Sequence, residues 1–206
     1  ILSNRVSKLL LNHKFKLQHF GYSLKGASEE INNNREFSEN ERIDILIFGI
    51  LRKDKGIATT VRKIIPTLDK QTFVTIAGFG SQELESEIKE AIGNDNRIKL
   101  LNKTFSEQEV NTLYLKTNAC IICCADEFFS MSGPLCLAIE YGKPCIISSN
   151  SWIKDLAINT KVGNKLDTSD PIRNQLNNII RSFKKTELLK SLNYSEMIKE
   201  TLNYFS

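Results

Sequence analysis

From Ile43 onward, short apolar runs alternate with helix-forming segments, and this alternation constrains the fold more than any other property of the chain. The runs I-D-I-L-I-F-G, F-V-T-I-A-G-F-G, R-I-K-L-L-N, A-C-I-I-C-C and C-I-I-S read as five strands. They are apolar throughout rather than at every second position, which is the pattern of strands covered on both faces. Between them the spacing predicts helices over residues 56–68, broken near Pro66, and over 81–92, 106–116 and 135–141. The third of these opens on S-E-Q-E, a capping box starting at Ser106. The predicted class is α/β, a doubly wound parallel sheet, followed by helices over 171–183 and 187–205. The last of these carries Tyr194, Met197, Ile198, Thr201, Leu202 and Phe205 on one face.

The ends of the chain behave differently. Residues 26–42 are polar and poor in core residues, which reads as a linker. Ahead of it, residues 1–25 offer one helix and one strand, too little for a domain. Residues 1–28 carry Arg5, Lys8, Lys14, Lys16 and Lys25 and no acid, and 5–11 has the spacing of an amphipathic helix. Such a segment suits peripheral contact with an anionic membrane surface, although a solvated helix face is the commoner outcome for this composition. Nucleic acid is not an expected partner, because the basic residues are neither interleaved with aromatics nor placed on a recognisable module. No apolar run approaches the ~20 residues of a membrane span, and the first residues lack the order of a signal peptide, so the expected location is cytoplasmic. The five cysteines, an odd number set mostly in core strands, suit reduced buried thiols. Cys120, Cys123 and Cys124 are spaced like a metal motif, but successive strand side chains point to opposite faces and no second Cys/His cluster completes four ligands. No metal is expected.

In a parallel sheet of this kind ligands bind beyond the carboxyl ends of the strands. Glycines gather there: Gly49 and Gly56 after the first strand, Gly78 and Gly80 after the second, and Gly133 after the fourth. Arg52 and Lys55 sit in the first of those loops, and both can offer positive charge to a diphosphate. After the fourth strand, Ser132-Gly133-Pro134 reads as a small-residue turn into a short helix, whose open first-turn N–H groups suit phosphate. Gly142-Lys143-Pro144 stops that helix. A dinucleotide-binding domain would instead require G-x-G-x-x-G after the first strand and an acid about 20 residues later. The chain has G-I-L-R-K-D-K-G.

Taken together, F-G-I-L-R-K-D-K-G-I, I-A-G-F-G, the helix E-Q-E-V-N-T-L-Y-L-K-T-N-A-C and S-G-P-L-C-L-A-I-E-Y-G-K-P-C-I-I-S resemble the C-terminal, nucleotide-sugar-binding half of retaining glycosyltransferases of the GT-B fold, the "group 1" family. The resemblance covers roughly residues 43–205 and implies a Rossmann-like domain over 43–206, with 1–25 similar to the close of the family's N-terminal acceptor domain and 26–42 as the linker. It implies that Lys55 neutralises the donor's diphosphate, with Arg52 beside it as the second catalytic cation. The family's usual Arg directly follows the strand-ending glycine, where this chain has Ile50. The family's two donor-binding glutamates fall on Phe129 and Leu137. Glu127, at the strand exit, is the carboxylate best placed to substitute, ahead of Glu140 one helical turn beyond Leu137. Ser132-Gly133 resembles a subgroup in which Ser-Gly replaces the glutamate pair and keeps the phosphate-binding turn.

The expected function is therefore the donor half of a glycosyltransferase that moves a sugar from a nucleotide diphosphate sugar to a glycan or lipid-linked acceptor in polysaccharide or cell-surface glycan biosynthesis. The acceptor is expected on an N-terminal domain, so residues 1–206 by themselves should bind nucleotide and turn over little. Nucleotide and phosphate contacts are expected from Gly49, Gly78, Gly80, Ser132, Gly133 and Glu127. The alternative is a degenerate, non-catalytic or partner-dependent nucleotide-binding module, which Phe129 and Leu137 favour.

Overall fold

The computed structural model describes residues 36–126, 132–159 and 162–182. Six strands form one sheet: β1 (Ile43–Phe48), β2 (Thr72–Gly78), β3 (Ile98–Asn102), β4 (Ala119–Ile122), β5 (Cys145–Ile147) and β6 (Gly163–Lys165). Every pairing is parallel, in the order β3-β2-β1-β4-β5-β6. The winding reverses between β1 and β4, which makes their carboxyl ends the switch point of the sheet. The β1–β4 ladder holds only the Ile45↔Ala119 and Leu46↔Cys120 register pairs, although β1 continues to Phe48 and β4 to Ile122.

The helices are α1 (Ile57–Ile64), α2 (Gln82–Ile92), α3 (Glu107–Lys116), α4 (Gly133–Glu140), α5 (Trp152–Asn159) and α6 (Ile172–Ser182). Because strand side chains alternate, the sheet divides its apolar residues between two cores. Ile43, Ile45, Ile47, Val74, Ile76 and Ile121 pack beneath α1, α2 and α6. Leu46, Ala77, Cys120, Ile122, Cys145 and Ile147 pack with Tyr114 of α3 and with apolar residues of α4 and α5. All four residues of β4 and all three of β5 are buried, as strands with helices on both faces must be.

Local chemistry sets the element ends. Ser81 Oγ caps α2 by accepting the Leu84 N–H at 3.3 Å. The capping box of α3 is present in full: Ser106 Oγ accepts the Glu109 N–H, and the Glu109 carboxylate accepts the Ser106 N–H at 2.8 Å. Pro66 ends α1 at Ile64 and the chain continues as a 3-10 turn over Ile65–Thr67, because a proline lacks the N–H that would extend the helix. At the far end of α4 the Gly142 N–H donates to Ile139 O and the Lys143 N–H to Ala138 O, the paired bonds of a Schellman stop. Lys143 is itself buried, and its ammonium donates to Thr117 O at 2.5 Å, so this lysine closes the end of α3.

Residues 36–42 run in irregular chain against α6. Buried Arg173 donates to Asp69 Oδ2 at 2.6 Å and to Glu41 O at 2.8 Å, and also bonds Ser38 O. The Phe37 N–H donates to Asn177 Oδ1 at 2.7 Å. The part of the sequence-predicted linker that is described is thus fastened to the domain. The regions 1–35 and 183–206, with the helix expected over 187–205, lie outside the described residues. No helix among the described residues is long and apolar enough to cross a membrane.

Candidate functional site

Three loops meet at the carboxyl edge of the sheet. The first leaves β1 at Gly49, whose φ of +130° and close approach to Pro134 both favour glycine: a Cβ there would lie 3.0 Å from the proline Cγ. Gly49 therefore joins the first loop to the start of α4. The Gly49 N–H donates to Ala77 O at 3.1 Å and the Leu51 N–H to Phe79 O at 2.9 Å, which lays the loop along the end of β2. A Cβ on Gly78 would come within 1.8 Å of Gly49 O, and one on Gly80 within 2.6 Å of Leu51 Cβ. Gly78 and Gly80 thus reach the site by letting the first loop pack on the second. Asn102 holds Gly80 in place, accepting its N–H at 2.9 Å.

Past Leu51 the chain makes a 3-10 turn over Lys53–Lys55, closed by Gly56 at φ +60°. The turn is pinned to the exit of β4, because the Ala125 N–H donates to Asp54 O at 3.2 Å. Lys55 is half-buried, and burial pushes its pKa below the ordinary 10.5; Asp54 opposes that shift, Arg52 adds to it, and the Cys124 and Cys123 thiols oppose it more weakly. Arg52 is exposed, and its Nε donates to Asp54 Oδ1 at 2.9 Å while Nη2 bonds Oδ2. This bidentate bond, opposed by partial burial, holds the Asp54 carboxyl below its ordinary value.

The third loop is the start of α4. Buried Ser132 is the N-cap, accepting the Leu135 N–H on Oγ at 3.3 Å, and its carbonyl accepts the Cys136 N–H at 3.1 Å. Pro134, which the sequence placed at the first helical position, stands second, after Gly133. It contributes no N–H. Among the described residues, this leaves the Gly133 amide as the first-turn N–H without a partner, where the sequence suggested a more open set. Gly133 is exposed, and a Cβ built on it meets nothing within 4 Å.

Leu137 is 5% exposed and belongs to the core beneath α4 and α5. Glu140, partly buried on the same helix, has its pKa raised by burial. Glu127 and Phe129 lie outside the described residues. Ile50, in the position where the family resemblance expects an arginine, is 65% exposed, and Phe79 on the neighbouring loop is 62% exposed.

A buried polar cluster beside these loops was not anticipated from sequence. Cys124 Sγ lies 3.0 Å from Ser149 Oγ and 3.2 Å from Ser151 Oγ, while Ser148 Oγ accepts the Cys124 N–H at 3.2 Å. Ser149 Oγ in turn donates to Ser151 Oγ at 3.0 Å. Asp126 Oδ1 accepts the Asn150 N–H at 2.7 Å, so the β5–α5 connection is bound to the exit of β4. The signal in sequence was S-S-N-S directly after a strand, which reads equally well as an ordinary turn. Burial pushes the Cys120 and Cys123 thiols up to about 12 and the Cys136 thiol up to about 11, so none is a ready nucleophile. Among the described residues, no three His, Cys, Asp or Glu side chains gather as metal ligands.

A family profile described as "Glycosyl transferases group 1" matches residues 42–181. The chain belongs to this family. Similar solved structures give this group 1 glycosyltransferase chain its architectural counterparts. The C-terminal domain of a glycosyl transferase group 1 family protein (LpcC) from Francisella tularensis is 20% identical, with a TM-score of 0.53, 73% of this chain covered and 86% of that one. Anabaena Alr3699/HepE, solved with UDP and glucose, is 17% identical with a TM-score of 0.56, over 80% of this chain and 49% of that one. AviGT4, a glycosyltransferase of avilamycin A biosynthesis, is 12% identical with a TM-score of 0.58, over 80% and 51%. The group 1 chain thus spans most of an isolated C-terminal domain and about half the length of the longer structures, and its fold is that of GT-B C-terminal domains. No curated protein matches it significantly in sequence.

Proposed function

We propose that residues 43–206 form the donor-binding half of a retaining glycosyltransferase, which holds a nucleotide diphosphate sugar while its sugar passes to a glycan or lipid-linked acceptor. The observation that carries this reading is the meeting of the Lys55 loop, Gly49 and the exposed start of α4 at the switch point of the sheet. Sugar transfer from such a donor leaves negative charge on the departing diphosphate. Preorganised cations and amides stabilise that charge more in the transition state than in the ground state, and this is how Lys55, Arg52 and the Gly133 N–H act. The UDP held by Anabaena HepE, which shares this fold, supports a nucleotide as the ligand class.

Side chains meet the charge of the diphosphate in this reading, so no divalent ion is required. Leu137, being a core residue, leaves recognition of the donor beyond its phosphates to the Ser132-Gly133 turn and to the stretch carrying Glu127. The acceptor is held by an N-terminal domain, of which residues 1–25 are the close and 26–42 the linker. The basic residues of 1–28 allow contact with a membrane carrying a lipid-linked acceptor, at its cytoplasmic face. Calorimetric titration with UDP, GDP and their sugar nucleotides in the presence of a chelator tests the proposal. Saturable binding of one diphosphate supports it. Absence of binding to all of them, by the chain and by the chain joined to an acceptor domain, refutes it in favour of a degenerate module.

A further inference from the structure

The pairing within the first loop points beyond a simple cationic cradle. Arg52 presents its guanidinium fork through Nε and Nη2, the edge that matches a carboxylate or a phosphate with two parallel bonds. That edge is filled by both oxygens of Asp54. Neither partner is free to drift far, since the backbone around them is constrained from both sides. The Lys55 N–H donates to Arg52 O at 3.0 Å, the Gly56 N–H to Lys53 O at 3.1 Å, and the Ala125 N–H to Asp54 O at 3.2 Å. The side chains nonetheless remain open to solvent, at 53% for Arg52 and 47% for Asp54. An exposed pair of this kind is held weakly, so a more highly charged anion can exchange with it.

We propose that Asp54 is an intramolecular stand-in for the anionic ligand: its carboxylate occupies the Arg52 fork, and a diphosphate gains that fork by displacing it. This inference rests on the reading of the loop as a diphosphate site and makes Asp54 a specificity-determining residue within it. The charge count of the loop follows directly. With Asp54 in place, Arg52 is neutralised and Lys53 and Lys55 are the remaining basic residues of the turn; once the carboxylate swings away, Arg52 adds its charge to theirs. A carboxylate or a singly charged anion gains nothing by the exchange, because it replaces like with like. A diphosphate brings more charge than the carboxylate it displaces and can engage Arg52 and Lys55 together. The loop therefore discriminates by ligand charge, and Asp54 sets the threshold.

The test is a double-mutant cycle read by calorimetric titration of UDP, at fixed ionic strength and with a chelator, into the wild-type chain, Asp54→Asn, Arg52→Gln and the D54N/R52Q double variant. Both positions are exposed, and thermal melting of each protein verifies that it is folded. Asp54→Asn is expected to tighten UDP binding by about three- to tenfold, a gain that structural damage does not produce. Arg52→Gln is expected to cost at least about threefold more on the D54N background than on the wild type, because only there is the fork already vacant. Raising the salt concentration should shrink the gain. If wild type binds UDP but Asp54→Asn leaves the affinity unchanged or weakens it, Asp54 orients Arg52 or is a bystander, and the inference is overturned. Equal cost of Arg52→Gln on both backgrounds overturns it as well. Failure of all four folded proteins to bind UDP or GDP, alone and joined to an acceptor domain, overturns the diphosphate reading itself, together with everything built on it.

Discussion

Replacing Lys55 with alanine should separate its ligand affinity from its effect on the fold. Lys55 is half-buried in the turn after β1, and burial is the largest influence on its pKa, pushing it below 10.5. Desolvation makes a lysine in that state costlier to keep charged than one in water, and Asp54 offsets only part of that cost. The folded pKa of Lys55 lies below its unfolded one, so the cost is present in full at neutral pH, where both states hold the proton. It fades as pH rises through the lowered folded value toward 10.5. Lys55→Ala is therefore expected to leave the melting temperature of the ligand-free chain unchanged or slightly raised. The same substitution should weaken nucleoside diphosphate binding by about 1.5–3 kcal/mol, the worth of a hydrogen bond to a charged group. That is roughly a 10- to 150-fold rise in Kd. Calorimetry at neutral pH measures the loss, and a series toward alkaline pH should show wild-type affinity falling as Lys55 loses its proton, with no such fall attributable to this position in Lys55→Ala. Affinity within about twofold of wild type, or a wild-type profile flat up to pH 10.5, would remove Lys55 from the site.

Gly133→Val places a side chain in the open space before α4, so it should lower diphosphate affinity by at least about tenfold with far-ultraviolet circular dichroism unchanged; undiminished binding would make the turn purely structural. Leu137→Glu puts a carboxylate into a core position that is 5% exposed, and thermal or urea unfolding should report a loss of about 2–4 kcal/mol rather than any gain in nucleotide binding. A stable variant with improved UDP affinity would show that this helix face reaches the ligand after all. Ser106→Ala removes the cap of α3 and should cost about 0.5–2 kcal/mol in urea unfolding. Its partner Glu109 has its pKa lowered to about 2 by bonds from Lys103 and Ser106. Its contribution should therefore be complete above the ordinary value of 4.5 and disappear only as pH falls through about 2, which acid titration followed by circular dichroism would check.

The succession of apolar runs showed the succession and class of β1 to β5: β4 and β5, buried on both faces, are apolar throughout, while the edge strand β3 stays mostly apolar but exposes Lys99. β6 was missed for the opposite reason. Gly163–Lys165 contains no residue of high strand propensity, and its pairing with β5 is what makes it a strand. Helix α5 follows Ser151, a residue type that opens helices and turns alike, and its buried Ile153 and Ala157 acquire meaning only against the core they fill. Pro66 was read as a break within one helix and in the structure ends it, since a missing N–H acts locally.

Composition and spacing alone determined the class of the fold, the caps at Ser106 and Gly142, and the presence of a basic loop and a small-residue turn near strand ends. Those depend on backbone conformation and on side chains a few residues apart, which the linear order specifies. Tertiary structure decided the partners of those residues. It set Gly78 and Gly80 beneath the first loop, gave Lys143 to the end of α3, turned Leu137 into the core, and gathered Cys124 with three serines. Each of these depends on which way a side chain points once the sheet has closed, and on what another segment brings to meet it. Distances between residues far apart in sequence are fixed only by packing, so the loop proposed to hold a diphosphate is legible from its residues while the segments it packs against are not.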